Sequence, residues 1–142
     1  MRFINKTGYK KIDDAIKIIS TVLPEVINSI DPDHKFTCTT LTASEVINNL
    51  FHAMVGGDDV EIRSFLKWNP LSKTIAYYSG GNIIMINRWK INKLSANDYA
   101  ATICHEWCHD LGFVHNGNYA TEENLKSVPY TIGRMIKEKT EA

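Results

Sequence analysis

Residues 104–116 read Cys104-His105-Glu106-Trp107-Cys108-His109-Asp110-Leu111-Gly112-Phe113-Val114-His115-Asn116. On a helix, residues four apart stand one above the other, so His105 and His109 point the same way. Two imidazoles on one face can hold one divalent ion, and zinc takes such nitrogens at about 2.0–2.1 Å. Glu106 is offset from His105 by about 100° around the helix. Its carboxylate is therefore expected to reach a water on the metal rather than the metal itself. Gly112 permits a left-handed backbone, which ends a helix and turns the chain sharply. That turn brings His115 back as a third ligand. Three protein ligands leave a fourth position open, the arrangement of a catalytic zinc rather than a closed structural one. The plainer alternatives are incidental histidines on a helix, or a zinc that only holds the fold.

Upstream, Ser95-Ala96-Asn97-Asp98 starts this helix with Ser95 as N-cap. The helix is expected over about residues 95–112, with Tyr99, Ala100, Ile103, Cys104, Trp107 and Leu111 packing inward. Cys104 and Cys108 read either as further ligands or as small core residues, and three histidines already complete a catalytic set. With Cys38 they make an odd count, which argues against a disulfide framework; helix geometry rarely bridges two cysteines four apart. Free thiols fit a reducing compartment.

Before the helix, Val60 to Trp68 alternates as a strand, Asn69-Pro70-Leu71-Ser72 turns, and Lys73–Ser79 and Asn82–Trp89 follow as two β-rich runs. Gly80-Gly81 suits a tight hairpin between them. Ile83 to Ile86 reads as a strand buried on both faces. The more mixed Thr74–Ser79 run is the edge strand. An exposed edge either faces water or accepts an extended peptide as an added strand.

The N-terminal half holds a short strand at Arg2-Phe3-Ile4. A helix follows from Tyr9 to Ile30, on the spacing of Ile12, Ala15, Ile16, Ile19, Leu23, Val26 and Ile27. It should cover one face of the sheet. Pro24 predicts a kink or a second short helix. Asp31-Pro32-Asp33 is a turn, and Lys35–Thr40 is expected as a strand with Phe36 and Cys38 on one side. Thr42-Ala43-Ser44-Glu45 resembles a capping box, opening a helix to about Met54 that buries Val46, Ile47, Leu50 and Phe51. His34 and His52 read as surface or packed residues. Gly56-Gly57-Asp58-Asp59 ends that helix in a solvated loop, since a calcium site wants more oxygens. Beyond His115 come a polar loop, then Ser127-Val128-Pro129-Tyr130-Thr131-Ile132-Gly133, then a short helix with Met135 and Ile136.

The 142 residues are 44 % hydrophobic and 23 % charged with zero formal net charge. That suits one globular domain, 1–142, with a short C-terminal subdomain at 116–142. A neutral chain offers no basic face for nucleic acid. Its apolar runs are too short for a membrane span. The N-terminus from Met1 turns polar too early for a signal peptide, and its initiating methionine suggests an intact chain. The expected place is therefore cytoplasmic or virion-associated. The expected fold class is α+β: a mixed twisted β-sheet with helices packed on it, one of them the zinc helix.

The pattern His105-Glu106-x-x-His109-x-x-Gly112-x-x-His115 resembles the long zinc motif of the metzincin metallopeptidases. The resemblance is sharp over 105–115 and loose elsewhere. It implies a small metzincin-like domain with one Zn²⁺ on His105, His109 and His115. It also implies an antiparallel edge strand that binds substrate, carried here by Ala76, Tyr77 and Tyr78. Metzincins place a methionine in a tight turn beneath the zinc, often closely followed by a tyrosine. Here Ser127-Val128-Pro129-Tyr130 occupies that place without the methionine, and Met135 follows five residues after Tyr130. This ending is similar to that of small metzincin-like proteins of phages and bacteria. Tyr130 takes the role of the turn tyrosine, as a metal ligand or an oxyanion donor, or else only packs its ring; Tyr119 is a second candidate. Some families carry Asp after the third histidine, where this chain has Asn116. Asp110 reads as an acceptor behind the ligands or, more plainly, as an exposed helix charge.

The implied activity is that of a zinc-dependent endopeptidase in which Glu106 is general base toward a zinc-bound water. Its substrate would be a peptide or protein. The short stretch after His115 implies an open cleft with modest selectivity. A different class of answer is a non-catalytic zinc-bearing binding or assembly module, such as a viral structural component. Hydrolysis of another amide or ester uses the same machinery.

Overall fold

The computed structural model describes residues 1–66, 74–117 and 119–141. In chain order the elements are β1 (Phe3–Asn5), α1 (Lys10–Asn28), α2 (Ala43–Gly56), β2 (Val60–Phe65), β3 (Ala76–Gly80), β4 (Ile83–Asn87), α3 (Ala96–Asp110), α4 (Glu122–Leu125) and α5 (Val128–Glu141). The expected end of a strand at Trp68, the turn at Asn69–Ser72 and the strand start at Lys73 lie outside the described residues. The fold is a small single α+β domain with a four-stranded mixed sheet in the order β1-β2-β4-β3.

β1, β2 and β4 run parallel, and β3 lies antiparallel to β4 at the edge. Val60, Ile62, Ile84 and Ile86 are fully buried on one sheet face, where each apolar side chain contributes about 1.5–3 kcal/mol. On the other face Arg63 is exposed while Ile83 and Met85 are only half-buried. β4 is therefore not buried on both faces, because the helical layer covers one side of the sheet alone. The short linker between β3 and β4 does make a hairpin, but the turn residues are Gly81 and Asn82. Both have left-handed φ, 61° and 60°, the sign a two-residue type I′ turn needs at both central positions. Asn tolerates that region better than other side-chain-bearing residues. Gly80 closes the strand after a bulge beyond Tyr78.

α1 buries Ile12, Ala15, Ile19, Leu23, Val26 and Ile27 and runs through Pro24 as one helix. Proline removes a helical donor and crowds the preceding turn. Burial immediately before and after it, at Leu23 and at Val26–Ile27, holds the helix together across the gap. α2 opens with the expected capping box between Thr42 and Glu45 and buries Ala43, Val46 and Leu50. Phe51 is 44 % exposed instead of packed.

The Lys35–Thr40 strand is not formed. Cys38 takes φ 61°, which reverses an extended chain, and Thr37 makes one isolated bridge with Ser127. The Thr37 N–H donates to the Lys126 carbonyl, and its hydroxyl to the Glu123 carbonyl. The segment thus clasps the ends of α4 and α5 rather than a sheet edge. α5 itself begins at Val128, earlier than expected. Pro129 stands in its first turn, where a missing N–H costs nothing, and the Thr131 N–H already reaches the Ser127 carbonyl at 2.9 Å. Val128, Ile132 and Ile136 join the same core as α1 and α3. Among the described residues no helix is long and apolar enough to cross a membrane.

Candidate metal centre

α3 carries the motif, and local chemistry fixes both its ends. Ser95 caps the N-terminus: its Oγ accepts from the Asp98 N–H at 3.1 Å, and the Asp98 carboxylate accepts from the Ser95 N–H at 3.0 Å. At the other end Gly112 takes φ 95°. The Gly112 N–H donates to the His109 carbonyl and the Phe113 N–H to the Cys108 carbonyl, each at 3.0 Å. That pair of bonds is a Schellman closure, and it reverses the chain so that His115 returns over the helix.

The three imidazoles meet. His115 Nε2 lies 3.2 Å from His105 Nε2 and 3.1 Å from His109 Nε2. The opposite edge of each ring faces a main-chain carbonyl. His109 Nδ1 is 2.8 Å from the Phe113 oxygen and His115 Nδ1 is 2.7 Å from the Gly117 oxygen. His105 is hydrogen-bonded to the main chain of Pro129. Proline has no N–H, so the ring donates there too. Each neutral ring has one proton, and donation to a carbonyl leaves the other nitrogen as a lone pair. Three lone pairs then converge on one point, an arrangement that a cation relieves. Nitrogens bound tetrahedrally at about 2.0–2.1 Å stand about 3.3–3.4 Å apart, close to the spacing seen. Burial, and next the neighbouring histidines, push His105 down to about 3, and burial lowers His109 as well. His105 and His109 are thus held towards the neutral form that binds a metal ion. It is the only group of three or more metal-binding side chains among the described residues.

Cys104 and Cys108 are fully buried free thiols outside this group, with burial raising both. They are core residues. His52 is exposed, and His34 packs its ring on Phe36 at 4.5 Å.

Glu106 lines the same cleft as the three histidines. Its Oε2 accepts from the main-chain N–H of Tyr78 at 3.0 Å, which ties the helix to β3. Burial raises its carboxyl to about 7, partly countered by that bond. Tyr130 stands on α5 with its ring 4.7 Å from His105 and 4.8 Å from His115. Tyr119, the other tyrosine suggested by sequence, is 78 % exposed and does not line the cleft. Met135 is on α5, partly buried against the core.

The cleft has a volume of about 1320 Å³. One wall is β3, and the other includes Val114, Leu125 and the α5 residues Tyr130, Gly133 and Arg134. The Asn87 N–H donates to the Ile75 carbonyl at 2.8 Å. In an antiparallel ladder the main-chain groups then alternate, so Tyr77 pairs inward with Met85 while Ala76 and Tyr78 face the cleft. Of the three edge residues suggested by sequence, Tyr77 thus has its main chain committed to β4, and the Tyr78 N–H is held by Glu106.

Two further residues have roles that the sequence did not assign. Asp110 is not a free helix charge. It accepts from the Tyr78 hydroxyl and from Asn82, whose side-chain amide reaches both carboxylate oxygens at 3.1 Å. The β3–β4 turn is thereby latched to the last turn of α3. Asn124 is fully buried and bonded to the loop after His115. The Glu-Glu-Asn sequence of 122–124 gives no local sign of that role.

Comparison of the chain with protein-family models, with curated proteins and with solved structures finds no match.

Proposed function

We propose that the chain is a zinc-dependent endopeptidase of metzincin-like type, acting on an extended peptide laid along β3. The observation that carries the reading is the convergence of three imidazole lone pairs in the same cleft as a half-buried carboxylate, walled by an antiparallel edge strand. His105, His109 and His115 would hold the ion through Nε2. Zinc bound there supplies a Lewis acid that acidifies a water and polarises a carbonyl.

Glu106 is the general base. Tyr78 holds one of its oxygens, which leaves Oε1 to take a proton from water and pass it to the departing amine. A carboxyl poised near neutral does both tasks. The Tyr130 ring against His105 and His115 supports its hydroxyl as a donor to the developing oxyanion. Substrate main chain pairs with the outward N–H and C=O of Ala76 and with the Tyr78 carbonyl. Such pairing aligns the interior of a peptide, which favours internal cleavage.

Zinc content and peptide cleavage of the wild type and of Glu106→Gln test this. The variant should keep its zinc and lose cleavage by about 10²–10⁴-fold. Equal cleavage by the two proteins would reject the enzymatic reading. A wild type that holds zinc but cuts no peptide in a broad library would favour the non-catalytic module.

A further inference from the structure

His115 is the one ligand carried by neither helix nor strand. Something other than regular structure must hold its ring to the tolerance a metal bond requires, a few tenths of an ångström. The fully buried side chain of Asn124 is placed to do so. Its Oδ1 accepts from the Asn116 N–H at 2.8 Å, and its Nδ2 donates to the Asn116 carbonyl at 2.6 Å and the Tyr119 carbonyl at 2.8 Å. One amide thereby closes on both main-chain polar groups of the residue after His115. Asn124 is fixed in turn. Its N–H donates to Thr121 Oγ1 at 3.2 Å, and its carbonyl accepts from the N–H and hydroxyl of buried Ser127 at 3.0 and 2.6 Å.

We infer that Asn124 is a positioning residue of the metal centre, setting the His115 imidazole by clamping the Asn116 peptide from α4. This rests on the reading of the three histidines as metal ligands. Only an amide fits the role. Aspartate has no donor for the two carbonyls and would place a buried charge against them, and alanine would take the partner from both main-chain groups of Asn116 and leave the Tyr119 carbonyl only the Thr121 N–H. Partners that orient a ligand in this way are worth about 10–100-fold in metal affinity.

The test is titration of the metal-free chain with cobalt(II), read by its visible absorption and by competition with a chelator. Asn124→Asp should bind about 10–100-fold more weakly, with a spectrum moved towards that of His115→Ala. Added to His115→Ala, the same substitution should weaken binding no further. Wild-type affinity and spectrum in folded Asn124→Asp and Asn124→Ala would overturn the inference while leaving the metal reading intact. So would an equal loss in the His115→Ala background, since the effect would not then run through His115. If Asn124 variants do not fold, Ser127→Ala loosens the Asn124 carbonyl and should weaken cobalt several-fold; unchanged affinity there overturns the inference. A wild type that binds no cobalt removes the metal reading itself.

Discussion

Gly133 brings α5 against the histidine-bearing face of α3. A Cβ there would sit 3.3 Å from the Ala101 carbonyl oxygen and 3.5 Å from the His105 Cβ. Gly133→Ala gains about 1 kcal/mol of helix propensity, which offsets the tight contact, so unfolding stability should change little. Gly133→Val has no such offset and should cost about 1–3 kcal/mol by urea unfolding; a neutral result would mean the two helices are not closely opposed. Tyr78 makes a comparable point from the other wall. Tyr78→Phe removes the hydroxyl donor to Asp110 and should cost about 1 kcal/mol, with faster hydrogen exchange at the Gly81 and Asn82 amides. The gathering of the three histidines was legible in the sequence, because His105 and His109 share one helix face and Gly112 turns the chain back to His115. The bonding of Asp110 to the β3–β4 hairpin and the role of Asn124 were not, because their partners lie on other elements and no local pattern announces them.

At the scale of elements, the ends of α3 carry separable loads. Asp98 accepts from Ser95 and from Lys137 of α5 at 3.2 Å, and its carboxyl is held below the ordinary range, chiefly by the Ser95 N–H. A depressed carboxyl contributes stability that is present above its unfolded pKa and lost as pH falls through the folded one. Urea midpoints should therefore fall on acidification below about pH 4. Asp98→Asn should cost about 0.5–1 kcal/mol at neutral pH, the pair with Lys137 being partly exposed, and should flatten that acid slope. An unchanged slope would remove Asp98 as its source. At the C-terminal end Gly112→Ala forces a side chain into φ 95° and should cost about 1–2 kcal/mol. Capping signals of this kind are local, which is why the starts of α2 and α3 could be read directly. The run at Lys35–Thr40 misled for the opposite reason. Its alternation is that of a strand, yet the left-handed turn at Cys38 breaks the extended run, and its main chain bonds the α4–α5 junction instead. The hairpin register slipped by one residue because Gly80 and Gly81 masked the ability of Asn82 to take a left-handed turn.

At the scale of the molecule, the sheet supplies one wall, α3 the floor and α5 with the His115 loop the other wall. The α+β class and the antiparallel edge strand followed from composition and alternation, whereas the way α5 closes over the histidines depends on contacts far apart in sequence. A ligand that joins three histidines from two sides of a turn stabilises the native state alone. Chelation should therefore lower the unfolding temperature, and added zinc should restore it. The most direct measurement is X-ray absorption at the zinc edge of the purified protein, together with the metal content per chain. One zinc per chain is expected, with three imidazole nitrogens at about 2.0–2.1 Å, an oxygen as fourth ligand and no sulfur. A protein that binds no metal, or a spectrum with sulfur from Cys104 or Cys108 at about 2.3 Å, would contradict it.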